Sequence, residues 1–193
     1  MTETTAKKTS IFYPPGGLLI WIVIYLELFT FGAALLAMVV YAKDEPEVFH
    51  NSRLLLNTTF GAINTVFLLC SGFFMALSIS ALKQNHIKKA KRFLIFTLIG
   101  GLLFLGLKSV EYYDKIQDGL TMGYNTFFSF YWMLTLFHVI HVLVGLVILL
   151  WFLIKLNKNP EKLEFIDAEA GAAFWHMCDL IWLMLFPVLY LIF

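Results

Sequence analysis

Charge is scarce in this chain of 193 residues. Asp, Glu, Lys and Arg together make up 14% of it, against about 25% in an ordinary soluble domain. With 60% hydrophobic and 17% aromatic residues and a mean hydropathy of +0.80, the shortage leaves no room for a separate soluble domain and points to a polytopic membrane protein. The net charge of +1 excludes an electrostatic surface for nucleic acid. Cysteine is limited to Cys70 and Cys178, both inside apolar runs, where they read as buried small hydrophobes rather than a disulfide or a zinc site. A phosphate-binding glycine loop, a nucleophile elbow and a Cys-x-x-Cys-His haem attachment site are all missing. No residue is therefore assigned to catalysis, to a cofactor or to a metal, and the chain carries no chemistry of its own. There is no internal repeat and no low-complexity tract. The polar start, Met1 to Ser10, followed by a long apolar run, does not read as a cleavable signal.

What the chain has is long apolar runs. A bilayer span needs roughly 20 apolar residues at 1.5 Å each, and five segments qualify: residues 17–41, 56–82, 93–113, 125–154 and 170–193. Pro14-Pro15-Gly16-Gly17 resets the backbone before the first. The third is the least clean, since Lys108 and Glu111 stand near its end. Short linkers make the expected fold an all-α bundle of five transmembrane helices, one membrane domain over residues 1–193. Gly100, Gly101 and Gly106 in the third segment and Ser71-Gly72 in the second predict a tight bundle or a subunit interface. The aromatic run Phe127 to Trp132 predicts an interfacial belt that continues into packing.

Lys and Arg set the orientation. One side receives ten of them: Lys7, Lys8, Lys83, Lys88, Lys89, Lys91, Arg92, Lys155, Lys158 and Lys162. The other receives Lys43, Arg53 and Lys115, with Lys108 snorkelling towards that side. The bias puts the N-terminus in the cytoplasm and the C-terminus in the periplasm. The linker holding Lys83, Lys88, Lys89, Lys91 and Arg92 is the strongest topology marker, and anionic lipid binding is the lesser reading of it.

Five ionisable side chains interrupt the apolar segments. Glu27 lies in the first, His138 and His141 share a face of the fourth, and His176 and Asp179 stand three apart in the fifth. All lie near mid-bilayer, where ionisable groups are costly and usually functional. Glu27 is therefore expected to be protonated or to share a proton with one of His138, His141 and His176. The plainer reading of His176 with Asp179 is a hydrogen bond locking the bundle. His138-x-x-His141 has the spacing of metal ligands, but no further thiolates or acids complete a set. Trp175, Trp182 and Gly145 are read as packing or interface positions.

Three blocks give the chain a family likeness. They are Trp21 to Tyr41 with Leu26-Glu27-Leu28-Phe29 at its core; Glu111-Tyr112-Tyr113 through Asp118-Gly119 and Phe127-Phe128 to His138-Val-Ile-His141 and Gly145; and Phe174-Trp175-His176-Met-Cys-Asp179-Leu-Ile-Trp182 to Tyr190. A fourth, weaker block is Asn64-Thr65 with Leu68 to Gly72. In this order they resemble subunit III of the haem-copper oxidases, in the short form lacking the first two of seven helices. Ile20-Trp21, Lys115-Ile116, Gly119-Leu-Thr121, Asn125 and Leu134-Thr135 resemble most the nitric oxide reductase accessory (NorE-type) branch, with quinol oxidase subunit III the near competitor.

The resemblance implies a non-catalytic subunit of the bacterial inner membrane, packed against the catalytic subunit I of a haem-copper oxidase or nitric oxide reductase. It also implies haem and metal on that partner, bound phospholipid on this chain, and support of proton uptake in respiratory electron transport. The family's carbodiimide-reactive membrane acid maps onto Glu27. Two readings of another class compete: a free-standing small transporter or proton channel, and a transient assembly factor.

Overall fold

The structure, a computed structural model, describes residues 14–158 and 164–193. Lys7, Lys8 and Lys162 of the charge bias lie outside them. The described residues form six helices and no strand: α1 (Leu18–Asp44), α2 (Pro46–Leu54), α3 (Thr58–Lys83), α4 (Ile87–Gln117), α5 (Thr126–Lys158) and α6 (Phe165–Pro187), the last running into a π-helical turn, Val188–Ile192. All but α2 are long and apolar enough to cross a membrane, α6 together with its π turn. The five long helices coincide with the five expected spans, falling short of them by at most two residues and running past them at one end or both, because apolar composition locates the hydrocarbon-embedded part while the helices continue to their caps.

Those caps are local chemistry. Asn57 accepts a hydrogen bond from the Thr59 amide at 3.0 Å and starts α3. Asn125 does the same for α5 through the Phe128 amide at 2.9 Å. At the end of α3, Asn85 takes φ 58°, and the His86 and Asn85 amides donate back to the carbonyls of Ala81 and Leu82. Gly119 plays the same part after α4 at φ 73°, with Leu120 and Gly119 donating to Lys115 and Ile116. Pro187, without an N–H and with its ring against the preceding turn, precedes the widened π turn.

The most extensive packing is the α3–α4 hairpin, and α6 lies against α3, α5 and α1. Small residues make the hairpin close. A Cβ at Gly100 would fall 2.8 Å from Ser71 Cβ and 3.1 Å from the Phe67 carbonyl oxygen, and Ser71 Oγ donates to the Thr97 carbonyl at 2.7 Å. Gly100→Ala should therefore cost about 1–3 kcal/mol, read as a lowered midpoint of thermal unfolding in detergent. Gly106→Ala should be nearly silent, since a Cβ there meets nothing within 4 Å. Gly106 thus makes no close approach inside the bundle, unlike Gly100.

Three expectations are corrected. Cys178 is buried but Cys70 is exposed on the outward side of α3. Phe127, Phe128 and Tyr131 are fully buried and Trp132 nearly so, so the run is packing from the first turn of α5 rather than only further along it. Phe49 of α2 explains part of this. It inserts edge-on against Phe127 and Phe193, with ring centroids 5.6 and 5.2 Å away, and covers the end of α5. The third correction concerns Lys108 and belongs to the site.

Candidate functional site

The five ionisable groups singled out above do not form one network. Four of them fall into two separate pairs, and in the first Glu27 Oε2 of α1 lies 3.2 Å from His141 Nε2 of α5. The other ring nitrogen, Nδ1, sits 2.8 Å from the Phe137 carbonyl oxygen. A carbonyl can only accept, so Nδ1 carries a hydrogen. Two states then fit the Glu27–His141 contact. Either the carboxyl proton faces a bare Nε2, or an imidazolium faces a carboxylate. Either arrangement would keep one proton between the two atoms at zero net charge, and moving it would not place an isolated charge in a medium of low dielectric. The contact is close but not aligned as a good hydrogen bond, and Oε2 has no aligned donor. The side chains are 19% and 12% exposed, half-sunk at the surface where α1 meets α5.

His138, one turn earlier, points the other way. It is fully buried, stacks on Trp182 at 5.5 Å and meets the edges of Phe104 and Phe31 at 5.6 and 6.5 Å. Neither of its nitrogens has a polar partner. Phe31 also packs edge-on against His141 at 5.8 Å, so one phenyl ring separates the two imidazoles. His176 and Asp179 lie 3.5 Å apart. His176 is not buried as the sequence suggested: its side chain is 45% exposed.

The strongest polar cluster is one that sequence reasoning missed. Lys108 does not snorkel outwards; it is 1% exposed. Its ammonium donates to Glu111 Oε2 at 3.0 Å, to the Tyr131 hydroxyl at 3.2 Å and to the Tyr190 hydroxyl at 2.8 Å. All three N–H groups are thereby used. The two hydroxyls donate in turn to Glu111 Oε1, at 2.8 and 2.5 Å. Three donors converging on one carboxyl is the pattern of a carboxylate, and the group closes on itself with no net charge. The rings of Tyr112, Tyr131, Trp182 and Tyr190 surround the ammonium at 5.0–5.5 Å. Arg53 of α2 holds the Tyr190 carbonyl at 3.0 Å, and Lys115 holds the Leu55 carbonyl at 2.5 Å. The cluster thus ties α2, α4, α5 and the π turn together at one end of the bundle. A cleft of about 310 Å³, lined by Asn57, Glu111, Asp114 and Asp118 among others, opens at that end.

Trp175 and Trp182 pin the middle. Trp175 Nε1 donates to Ser71 Oγ at 3.1 Å and Trp182 Nε1 to Thr65 Oγ1 at 2.9 Å, both from α6 to α3. Gly145 lies against the Trp175 ring. Lys83, Lys88, Lys89 and Arg92 are exposed around the α3–α4 turn, with Lys91 half-buried. Among the described residues, no three His, Cys, Asp or Glu side chains are grouped to hold a metal ion.

A family model described as "Cytochrome c oxidase subunit III" matches residues 46–192, which includes the Lys108 cluster, the histidines of α5 and α6 and Asp179, but not Glu27. Cytochrome c oxidase subunit 3 of Drosophila melanogaster is 34% identical over 129 residues, 66% of this chain and 48% of that protein. Cytochrome bo(3) ubiquinol oxidase subunit 3 of Buchnera aphidicola is 28% identical over 176 residues, 89% of this chain and 84% of that protein. A Corynebacterium diphtheriae cytochrome c oxidase subunit 3 is 28% identical over 142 residues, 71% of this chain and 67% of that protein. The match thus spans about half the length of the insect relative.

Proposed function

The chain belongs to the cytochrome c oxidase subunit III family, and from that membership we propose that it is a non-catalytic subunit packed on the catalytic subunit of a respiratory haem-copper complex. Haem and metal belong to that partner. This multi-pass chain sits in a bacterial inner membrane with its N-terminus in the cytoplasm, holds phospholipid on its surface and supports proton uptake by the complex. The observation that carries the proton role is the Glu27–His141 contact at 3.2 Å, a half-sunk acid–imidazole pair placed to share one proton. The short details around Lys115, Asn125 and Leu134 favour the NorE-type branch and hence a nitric oxide-reducing complex.

A second reading has its own support. The Buchnera match extends over 84% of a ubiquinol oxidase subunit 3, so an oxygen-reducing quinol oxidase fits the same chain. One experiment separates these. A tagged pull-down in mild detergent should bring down a stoichiometric haem-bearing polypeptide, visible in the absorption spectrum, whose identity by mass spectrometry decides between oxygen and nitric oxide. A colourless protein, under conditions that keep the haem enzyme intact, would favour the transporter or assembly-factor readings.

The proton role has a separate readout. Carbodiimides attack carboxyl groups that carry a proton, and Glu27 can carry one while Glu111 is committed as an acceptor to three donors. Peptide mapping after dicyclohexylcarbodiimide treatment should find Glu27 modified and Glu111 not. Equal modification of the two, or modification of Glu111 alone, would remove the reason for assigning the proton to Glu27.

A further inference from the structure

The outward surface of the long helices is apolar for most of its extent, and His176 breaks it. Its side chain is 45% exposed. It lies eleven residues after Phe165 in a span that ends at Ile192, which puts it within about 5 Å of the middle of a helix roughly 42 Å long at 1.5 Å per residue. Headgroups and water are on the order of 15 Å away from that depth, and acyl chains offer no hydrogen bond. Asp179 stands behind the ring, with Oδ2 3.5 Å from Nδ1, an arrangement that turns Nε2 outward. Its second oxygen, Oδ1, is buried without any partner. The pair opens into a groove of about 360 Å³ between α3 and α6, walled by Leu69, Phe73 and Ala76 on one side and Leu180 and Leu183 on the other.

We propose that this groove is the docking surface for a transmembrane helix of another polypeptide, which lays an apolar face on the groove and sets a polar side chain against His176 at mid-bilayer. A lipid tail would fill the apolar walls and leave the imidazole without a partner, which is costly at that depth. A helix supplies both surfaces at once. Ala76, small and exposed on the α3 wall, lets such a helix approach closely, while the buried Gly72 makes room for Asp179 itself. Asp179 fixes the ring that the partner meets and is a positioning residue. The inference rests on reading the chain as a subunit of a larger complex and names the face that reading leaves open.

The test places a photoreactive benzoylphenylalanine at Phe73, at Leu183 and, for comparison, at Val147 on α5, in cells that make the whole complex. Adducts at Phe73 and Leu183 to one other polypeptide are expected, mapping to a transmembrane segment with a polar side chain within one turn. Val147, 66% exposed, should give lipid adducts. His176→Leu should lower the recovery of that polypeptide about threefold or more, and His176→Gln, which keeps a hydrogen-bonding group, should retain it. Lipid-only adducts at both groove positions, or adducts to a second copy of this chain, overturn the proposal. Co-purification in the same preparation separates the two readings. An intact haem complex with lipid-only groove adducts sinks this inference alone, while lipid-only adducts with no co-purified polypeptide sink the subunit reading as well.

Discussion

Glu111→Leu is expected to destabilise the folded chain by about 3–5 kcal/mol, Lys108→Met by a similar amount, and the double variant by less than either. The inequality follows from how the cluster is closed. Lys108 and Glu111 are both 1% exposed, so removing either leaves the other as a buried charge without its counter-ion. Removing both leaves no charge, fills the space with methylenes, and leaves two phenol hydroxyls that reached the same pair of atoms and can turn to each other. Thermal unfolding in detergent, followed by circular dichroism, gives the three midpoints. Losses in the double variant equal to the sum of the single losses would mean that the ammonium and carboxylate act independently and that the closed network has no energetic meaning. Loss of the Arg53 contact to the Tyr190 carbonyl, 3.0 Å long, should follow in the single variants, because the π turn is held by the same hydroxyl.

This cluster also shows where sequence reading stopped. Lys108 near the end of an apolar run looks the same whether it reaches for water or turns inwards. What decides is the arrival of Tyr131 and Tyr190, 23 and 82 residues further along the chain, and no helical period of α4 encodes that. Glu111 three residues on was the available signal, since an i, i+3 pair of opposite charge can satisfy itself inside. The Glu27–His141 approach was legible in part. Common depth along two spans brings an acid and two imidazoles to one level, but which imidazole faces the acid depends on helix rotation, and His138 turns into the core instead. His176 shows the converse: an i, i+3 relation to Asp179 predicts their contact and says nothing of which side of the helix meets lipid. The five spans were legible because hydrocarbon selects for apolar length alone. Helix α2 was not. It has nine residues of mixed polarity, and what holds it is Phe49 between two aromatic rings contributed by distant segments.

Trp175→Ala should be among the costliest single changes outside the charged cluster, at about 3–5 kcal/mol. The ring is fully buried where α4, α5 and α6 meet, in a slot that two glycines create. A Cβ at Gly101 would lie 2.7 Å from Trp175 Cη2, and one at Gly145 would lie 2.9 Å from Trp175 Cε3. A large ring and two absent side chains are therefore one packing solution. Gly145→Ala alone should cost about 1–3 kcal/mol by overpacking. Combined with Trp175→Phe it should cost less than the two singles together, since the smaller ring vacates the space the methyl group needs. A double-mutant cycle on unfolding midpoints measures that coupling, and a coupling near zero would show that the helices adjust around the ring instead of being spaced by it. The indole N–H adds a second, separable contribution. Trp175→Phe leaves Ser71 Oγ without its donor at 3.1 Å, but Ser71 keeps its own bond to the Thr97 carbonyl, so the α3–α4 hairpin should hold while α6 loosens from it. Faster amide hydrogen exchange in α6, with α3 and α4 unchanged, is the expected mark of that difference.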